Sequence, residues 1–233
     1  MNGVNIDFSR IWEWMPTFLE GTFVTIVLSL STVFLGCLIG LIVVLMKQSE
    51  MKPLNWIANV YTNIIRGTPM LLQLFIWLYG LPMIGLSFTG LSFLGGTFGS
   101  REFITAVVAL GINSGAYVSE VLRGGLESVN KGQVEAGRAL GLSKRETMFS
   151  IIIPQAIRIV LPGLGNEFVT MIKESWIVST VGVFDVMYTS NIVQASTYSI
   201  FEPLIVVGLI YYVLTYSLTY LMKILERRLN TYA

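Results

Sequence analysis

The stretch GTFVTIVLSLSTVFLGCLIGLIVVLM, from Gly21 to Met46, contains no charged residue. At about 1.5 Å per residue, a helix of that length exceeds the roughly 30 Å hydrocarbon core of a bilayer. The stretch therefore assigns the chain to the integral membrane proteins. The rest of the sequence agrees. Pro203–Met222 is another uncharged run, 54% of the 233 residues are hydrophobic, and mean hydropathy is +0.70. Only 12% of residues are charged, against about 25% in an ordinary soluble domain.

Several classes are excluded early. A net charge of +1 gives no electrostatic pull toward nucleic acid or an acidic partner. With no histidine and one cysteine, the chain lacks a set of transition-metal ligands. Cys37 lies inside the first apolar run, cannot form an intrachain disulfide, and reads as a small packing residue. The N-terminus has no basic n-region and the first run is too long for a signal peptide, so a retained transmembrane helix is expected.

Working outward, five spans account for the chain: Thr17–Met46, one within Asn55–Leu81, Phe103–Leu122, Thr147–Val183 and Pro203–Leu225. The fourth is interrupted by Arg158, Glu167, Lys173 and Glu174, and Pro154 and Pro162 are expected to break it. Orientation follows from Lys and Arg in the connections. Lys47 and Lys52 follow the first span, Arg123, Lys131, Arg138, Lys144 and Arg145 the third, and Lys223, Arg227 and Arg228 the fifth. Pro82–Ser100 and Asp185–Glu202 have no basic residue. The expected layout is an external N-terminal segment (1–16), a five-helix domain (17–225) with a cytoplasmic loop at 130–146, and a cytoplasmic tail (226–233). The glycine-rich Gly90–Gly99 reads as a flexible outer turn.

The cytoplasmic loop is unlike the rest. Asn130–Leu140 reads as a short helix, and Gly141 stands where a helix end favours a left-handed residue. Ser143-Lys-Arg-Glu146 is a capping box that starts a second helix. Glu135 is expected in the first turn of the short helix, where a carboxylate suits the positive end of the helix dipole. These features describe either a simply capped surface loop or a rigid docking element.

The residues carry a resemblance that chooses between the two. Glu135-Ala136-Gly137, then Gly141, then Ile151-Ile152-Ile153-Pro154 resembles the EAA loop of the permease subunits of ABC importers, with Gly137 in place of an alanine and Ile153 in place of a leucine. Arg66-Gly-Thr-Pro69 with Leu71, Leu72 and Gln73, Tyr117-Val-Ser-Glu120, Arg123-Gly-Gly125, Gly132-Gln133 and Pro154-Gln-Ala156 are similar to permeases of polar amino-acid importers. Asn166–Val178 is similar too, except that Trp176 replaces a smaller residue. The resemblance implies an all-α, type I (MetI-like) permease with the N-terminus outside and the C-terminus cytoplasmic. It implies that Glu135, Ala136, Gly137, Ala139, Leu140, Gly141 and Leu142 form a coupling helix and its turn, seated on a separate cytoplasmic ATPase. It also implies a second permease subunit, identical or homologous, and an extracytoplasmic substrate-binding protein, in a bacterial cytoplasmic membrane. The chain has no G-x-x-x-x-G-K-[ST] phosphate loop; ATP would be bound by the partner, and the chain would have no cofactor and no catalytic role of its own.

Charged and polar groups are costly at membrane depth, so their placement is informative. At about 100° per residue, Asn166, Glu167, Thr170, Lys173 and Glu174 share about a third of one helix's circumference. Asn113, Tyr117 and Glu120 make an i, i+4, i+7 stripe on another, with Ser114 beside it. A helix break at Pro162 and Gly163-Leu-Gly165 is expected to free backbone N–H groups before Asn166. Asn113, Tyr117, Asn166, Glu167, Thr170, Lys173 and Glu174 are the candidate path for an amino-acid substrate; pairing of Lys173 with Glu167 or Glu174 is the structural alternative. Arg66, beside the break at Gly67-Thr-Pro69, reads as a structural anchor, with substrate, lipid phosphate or an acidic partner as the alternatives. The Gly36/Gly40 and Gly111/Gly115 pairs permit close helix approach, within the chain or at a dimer interface. A stand-alone ion-coupled transporter or channel would also use such polar faces, but it leaves the capped loop unexplained.

Overall fold

A computed structural model of the chain describes residues 8–91 and 94–230. Positions 1–7 of the expected N-terminal segment, 92–93 of the outer loop and 231–233 of the tail lie outside the described residues. Regular structure among the described residues is entirely helical. In chain order the α-helices are α1 (Ser9–Trp12), α2 (Met15–Gln48), α3 (Lys52–Arg66), α4 (Met70–Phe75), α5 (Arg101–Glu127), α6 (Lys131–Ala139), α7 (Lys144–Thr147), α8 (Ile153–Glu174), α9 (Val186–Thr197) and α10 (Phe201–Asn230).

Four stretches are long and apolar enough to cross a membrane: α2, α5, Lys144–Val181 and α10. The expected second span qualifies only as a pair, Lys52–Arg66 with Met70–Ile84, bent by 106°. The bend has a local cause. Gly67 closes α3 with its N–H on the Asn63 carbonyl, and Pro69 is extended (φ −62°, ψ 136°) as the N-cap of α4. Proline lacks an N–H and steers the residue before it away from helical geometry.

The fourth span corrects an expectation. α8 runs without a break through Pro162 to Glu174, so no new helix start precedes Asn166. The nearby glycines serve packing. A Cβ on Gly163 would meet Val121 Cγ1 at 2.6 Å, and one on Gly165 would run into the Met222 sulfur. Neighbouring side chains thus fill the glycine positions and support the helix where Pro162 forfeits a hydrogen bond. The helix changes character later, in the 3₁₀ turn Ser175–Val181, which Gly182 ends at φ 83°. Trp176, the departure from the family pattern, lies in that turn with 42% of its surface exposed, whereas Ser175, Ile177 and Val178 are buried.

The chain folds as two compact units, and the division falls within several helices. One takes the chain up to Thr32 with Pro69–Leu110 and Val169–Ser217. Its core includes Val24, Leu28, Leu74, Leu78, Leu110 and Val178, with a smaller cluster around Phe18, Val186 and Val193. Asp185, fully buried, caps α9 by accepting the Tyr188 N–H at 2.8 Å, and Thr25 Oγ1 accepts the Val186 N–H at 3.2 Å. Gly21 makes room for this crossing, since a Cβ there would stand 2.8 Å from the Asp185 carbonyl oxygen.

The other unit takes Val33–Thr68, Gly111–Phe168 and the chain from Leu218. Both small-residue pairs meet here. Gly36 lies against Ser114 and Gly40 against Val118, while Gly111 lies against Leu35 and Gly115 against Ile39. The close approach they permit is between α2 and α5 of one chain. Tyr61 on α3 donates its hydroxyl to the Ile112 carbonyl at 2.5 Å. A Cβ on Gly40 would fall 3.0 Å from the Ser119 backbone nitrogen, so α2 and α5 would have to separate. The Gly36→Ala/Gly40→Ala chain is expected to lose about 1–3 kcal/mol of stability. Gly208→Ala, with nothing within 4 Å of the added atom, is expected to match the parent; thermal unfolding in detergent compares the three.

Candidate functional site

The short helix α6 is fixed at both ends. Asn130 caps its start by accepting the Gly132 N–H at 2.8 Å. At its end the Gly141 N–H bonds the Arg138 carbonyl and the Leu142 N–H bonds the Gly137 carbonyl, with Gly141 at φ 85°. That conformation strains any residue with a Cβ. Ser143 then starts α7 with both halves of the capping box in place: its N–H donates to Glu146 Oε2 at 2.8 Å, and its Oγ accepts the Glu146 N–H at 3.3 Å. The chain continues through a π-helical turn, Met148–Ile152, into α8.

Side contacts hold α6 against the turn and α8. Gly137 is buried, and Ile151 Cδ1 stands 2.7 Å from where its Cβ would be. An alanine there, as in the related pattern, would have to move the end of the Ile151 side chain. Gln155 Nε2 donates to Gln133 Oε1 at 2.5 Å. The opposite side is bare. Glu135, Ala136 and Ala139 are exposed, Leu142 is half-buried, and Leu140 is 83% exposed; because α6 starts at Lys131, Glu135 lies beyond its first turn and not at the dipole end expected for it. A rigid helix thus presents an apolar knob and a carboxylate outward.

The candidate path residues divide between the units. In one, Asn113 and Glu167 are buried, and Ser114 donates its hydroxyl to Glu167 Oε1 at 2.9 Å. Tyr117 and Asn166, in the same unit, are exposed. Thr170, Lys173 and Glu174 belong to the other unit; Lys173 is exposed and the other two are half-buried. The five residues on α8 follow one continuous helix, since Pro162 does not interrupt it. Lys173 makes no ion pair within 4.0 Å among the described residues, although its charge acts on the neighbouring Glu174.

Glu120 departs from the stripe expected for it. Lys47 bonds its Oε1, and Arg123 holds Oε2 through Nε at 3.1 Å and Nη2 at 2.8 Å. Lys47 Nζ also donates to Thr62 Oγ1 at 2.9 Å, and Arg123 Nη1 reaches Glu127 at 2.6 Å. The Lys47 side chain is only 6% exposed. A cation so buried requires a counter-charge, and Glu120 supplies it from the facing helix. In the sequence Lys47 counted only as a loop charge; nothing local announced a partner 73 residues away.

Long apolar helices with buried polar side chains between them define a multi-span helical membrane protein. The chain belongs to the family of binding-protein-dependent transport system inner membrane components, whose family model matches residues 33–231. Its relatives include the arginine transport system permease protein ArtQ of Bacillus subtilis (strain 168), 41% identical over 98% of this chain and 99% of that protein. The putative glutamine transport system permease protein GlnP of Rickettsia bellii (strain RML369-C) is 40% identical over 95% of this chain and 98% of its own length. Among solved structures, an amino acid ABC transporter crystallised with histidines is 40% identical, with a TM-score of 0.89 over 97% of this chain and all of the matched one. The methionine ABC transporter MetNI, at 17% identity, shares the fold with a TM-score of 0.75 over 93% of this chain and 98% of its own. The all-α, MetI-like architecture implied by the sequence is the one found.

The Lys47–Glu120 pair gives a direct test of what holds α2 to α5. Glu120→Gln strands the buried Lys47 ammonium and is expected to cost about 3 kcal/mol. Glu127→Gln, whose side chain is 60% exposed, is expected to change stability by no more than about 0.5 kcal/mol. The Lys47→Met/Glu120→Gln chain is expected to recover most of the loss, as read from unfolding midpoints in detergent.

Proposed function

We propose that this chain is the permease subunit of an ATP-driven importer of polar amino acids, embedded in a bacterial cytoplasmic membrane. The observation that carries the reading is α6: a helix fixed by Asn130, Gly141 and Ser143 that exposes Leu140 and Glu135. The exposed Leu140, with exposed Ala136 and Ala139 on the same capped element, suits docking, and family membership supplies the kind of partner. The arginine, glutamine and cystine named in the relatives' descriptions supply the substrate class.

In this reading α6 seats in a groove of a cytoplasmic ATPase. Leu140, Ala136 and Ala139 enter apolar contact, Glu135 pairs with a basic residue, and Gly137, Gly141 and Leu142 set the angle of the helix. The N-terminus is outside and the C-terminus inside, by the distribution of Lys and Arg, with segments 1–16, 17–225 and 226–233 as external, membrane and cytoplasmic parts and 130–146 as the coupling loop. A second permease, identical or homologous, completes the passage, and an external binding protein delivers substrate. Closure of the ATPases on ATP moves α6 and switches the passage between outward and inward access.

The chain's own chemistry is binding. Asn113, Tyr117, Asn166, Glu167, Thr170, Lys173 and Glu174 offer carboxylates for an ammonium group, an ammonium for a carboxylate, and amide and hydroxyl groups for either. Glu167, held by Ser114, and the exposed Lys173 supply the two signs. Uptake of labelled amino acid by membrane vesicles tests this. Glu167→Ala and Lys173→Ala are each expected to lower uptake by at least about tenfold, roughly the value of one charged hydrogen bond. Leu140→Asp is expected to abolish it and to release the ATPase from the purified complex. Normal uptake by the first two variants would remove the path assignment; retention of the ATPase by the third would remove the docking assignment.

A further inference from the structure

The candidate path leaves out a polar row on α3. At about 100° per residue, this helix has three sectors. Ala58 and Thr62 are buried, with Leu54, Tyr61 and Ile65 half-buried on the same side. Trp56, Ile57 and Ile64 form an exposed apolar sector. Between the two, Asn55, Asn59, Asn63 and Arg66 follow one another every three or four residues, and the last three are exposed. The Asn55 and Asn59 amides bond within the chain, Asn59 Nδ2 to the Asn55 carbonyl at 2.9 Å, whereas the exposed Asn63 and Arg66 beside an apolar sector suit a helix with lipid on one side and water on the next, because hydrocarbon offers them no hydrogen bonds.

Arg66 ends this row. Its guanidinium carbon lies 5.4 Å from the ring centroid of Tyr117, a residue of the proposed path. Its contact with Glu120 is long, 3.8 Å to Oε2, because that carboxylate is already held by Lys47 and by two nitrogens of Arg123. Lys47, Arg66 and Arg123 together face Glu120 and Glu127, which leaves one positive charge over. Arg66 has the weakest carboxylate contact of the three cations and a side chain 44% exposed, so the surplus is available there. A guanidinium flanked by an aromatic ring and amides is suited to a planar carboxylate, which it can take through two parallel hydrogen bonds.

We propose that Arg66, seated against Tyr117 and continued along α3 by Asn63 and Asn59, is a carboxylate-binding station on the water-facing wall of the passage, used by the α-carboxylate of the amino acid in transit. The assignment rests on the importer reading and adds a binding position to it. Asn63 lies one turn before Arg66 on the same face, so a thiol there reports both access to water and the charge of Arg66.

The test uses membrane vesicles holding the chain with its partners, with Cys37→Ser removing the single native thiol and Asn63→Cys adding a probe. Water-soluble methanethiosulfonates, one anionic and one cationic, are applied, and the labelling rates are compared. The anionic reagent is expected to react faster. Its rate is expected to fall roughly threefold in Arg66→Gln, as for one unit charge about 6 Å away acting through water. L-arginine or L-glutamine, whichever the vesicles take up, is expected to slow labelling, while the corresponding amine without the carboxylate (agmatine in place of arginine) does not.

Three results would overturn the proposal. The first is no labelling by either reagent, as when lipid or a second copy covers the row. The second is labelling that neither amino acid slows. The third is labelling slowed by a higher fraction of phosphatidylglycerol and not by amino acid, which would assign Arg66 to a lipid phosphate. Uptake by the Cys37→Ser parent, measured in the same vesicles, separates the two levels. Intact uptake with no protection refutes the station alone, whereas uptake of neither amino acid counts against the importer reading.

Discussion

In hydrocarbon a peptide N–H or C=O has no water to bond, so every span must satisfy its own backbone. The rest of this structure follows from that constraint. Helices leave their regular form most readily where another group takes over, and several departures here have such a group. Gly67 and Pro69 end one helix and start the next, Arg101 donates to the Leu78 carbonyl at 2.8 Å beside a π-helical turn, and Asp185 caps α9. With the backbone satisfied inside each helix, helices associate through close packing and a few polar contacts. The seam between α2 and α5 is built this way, with glycines from each helix facing side chains of the other and the Lys47–Glu120 pair near its end.

Features encoded within a few residues were legible in the sequence. The apolar runs marked four of the five expected spans as single stretches and the second only as a bent pair, and Asn130, Gly141 and Ser143-x-x-Glu146 marked the ends of α6 and the start of α7. Features set by a distant neighbour were not legible. Gly163 and Gly165 look the same in sequence whether they break a helix or admit Val121 and Met222, and only the packed helices decide. The 106° bend at Gly67–Pro69 was legible as a break but not as an angle. Glu120 shared a stripe with Asn113 and Tyr117, yet Lys47 and Arg123 draw it into an ion-pair cluster. The polar faces of α5 and α8 were legible; the burial of Glu167 against Ser114 and the exposure of Lys173 came only from the fold.

The polar groups therefore sort by what surrounds them. Glu120 with Lys47 and Arg123 is structural, because each charge is answered by another within the protein. Asn166 and Lys173 lie exposed along one face of α8, beside the buried Glu167 that Ser114 holds, and in the proposed importer that face meets the substrate. On α6 the apolar side chain is the exposed one, which is the condition for a protein partner. In the proposed importer these two surfaces are met by different molecules, an amino acid in one case and an ATPase in the other, and α8 follows α6 through α7 and a single π-helical turn.

The link between them is tested most directly at Leu140. A photoreactive residue placed there, activated in native membranes, records what touches the exposed side of α6. If the chain is the permease of an ATP-driven importer, mass spectrometry of the adduct will find a peptide from a protein carrying a phosphate loop, and Glu135→Arg will remove it. An adduct confined to a second copy of this chain, or to lipid, would contradict the docking role of α6 and with it the proposed coupling to ATP.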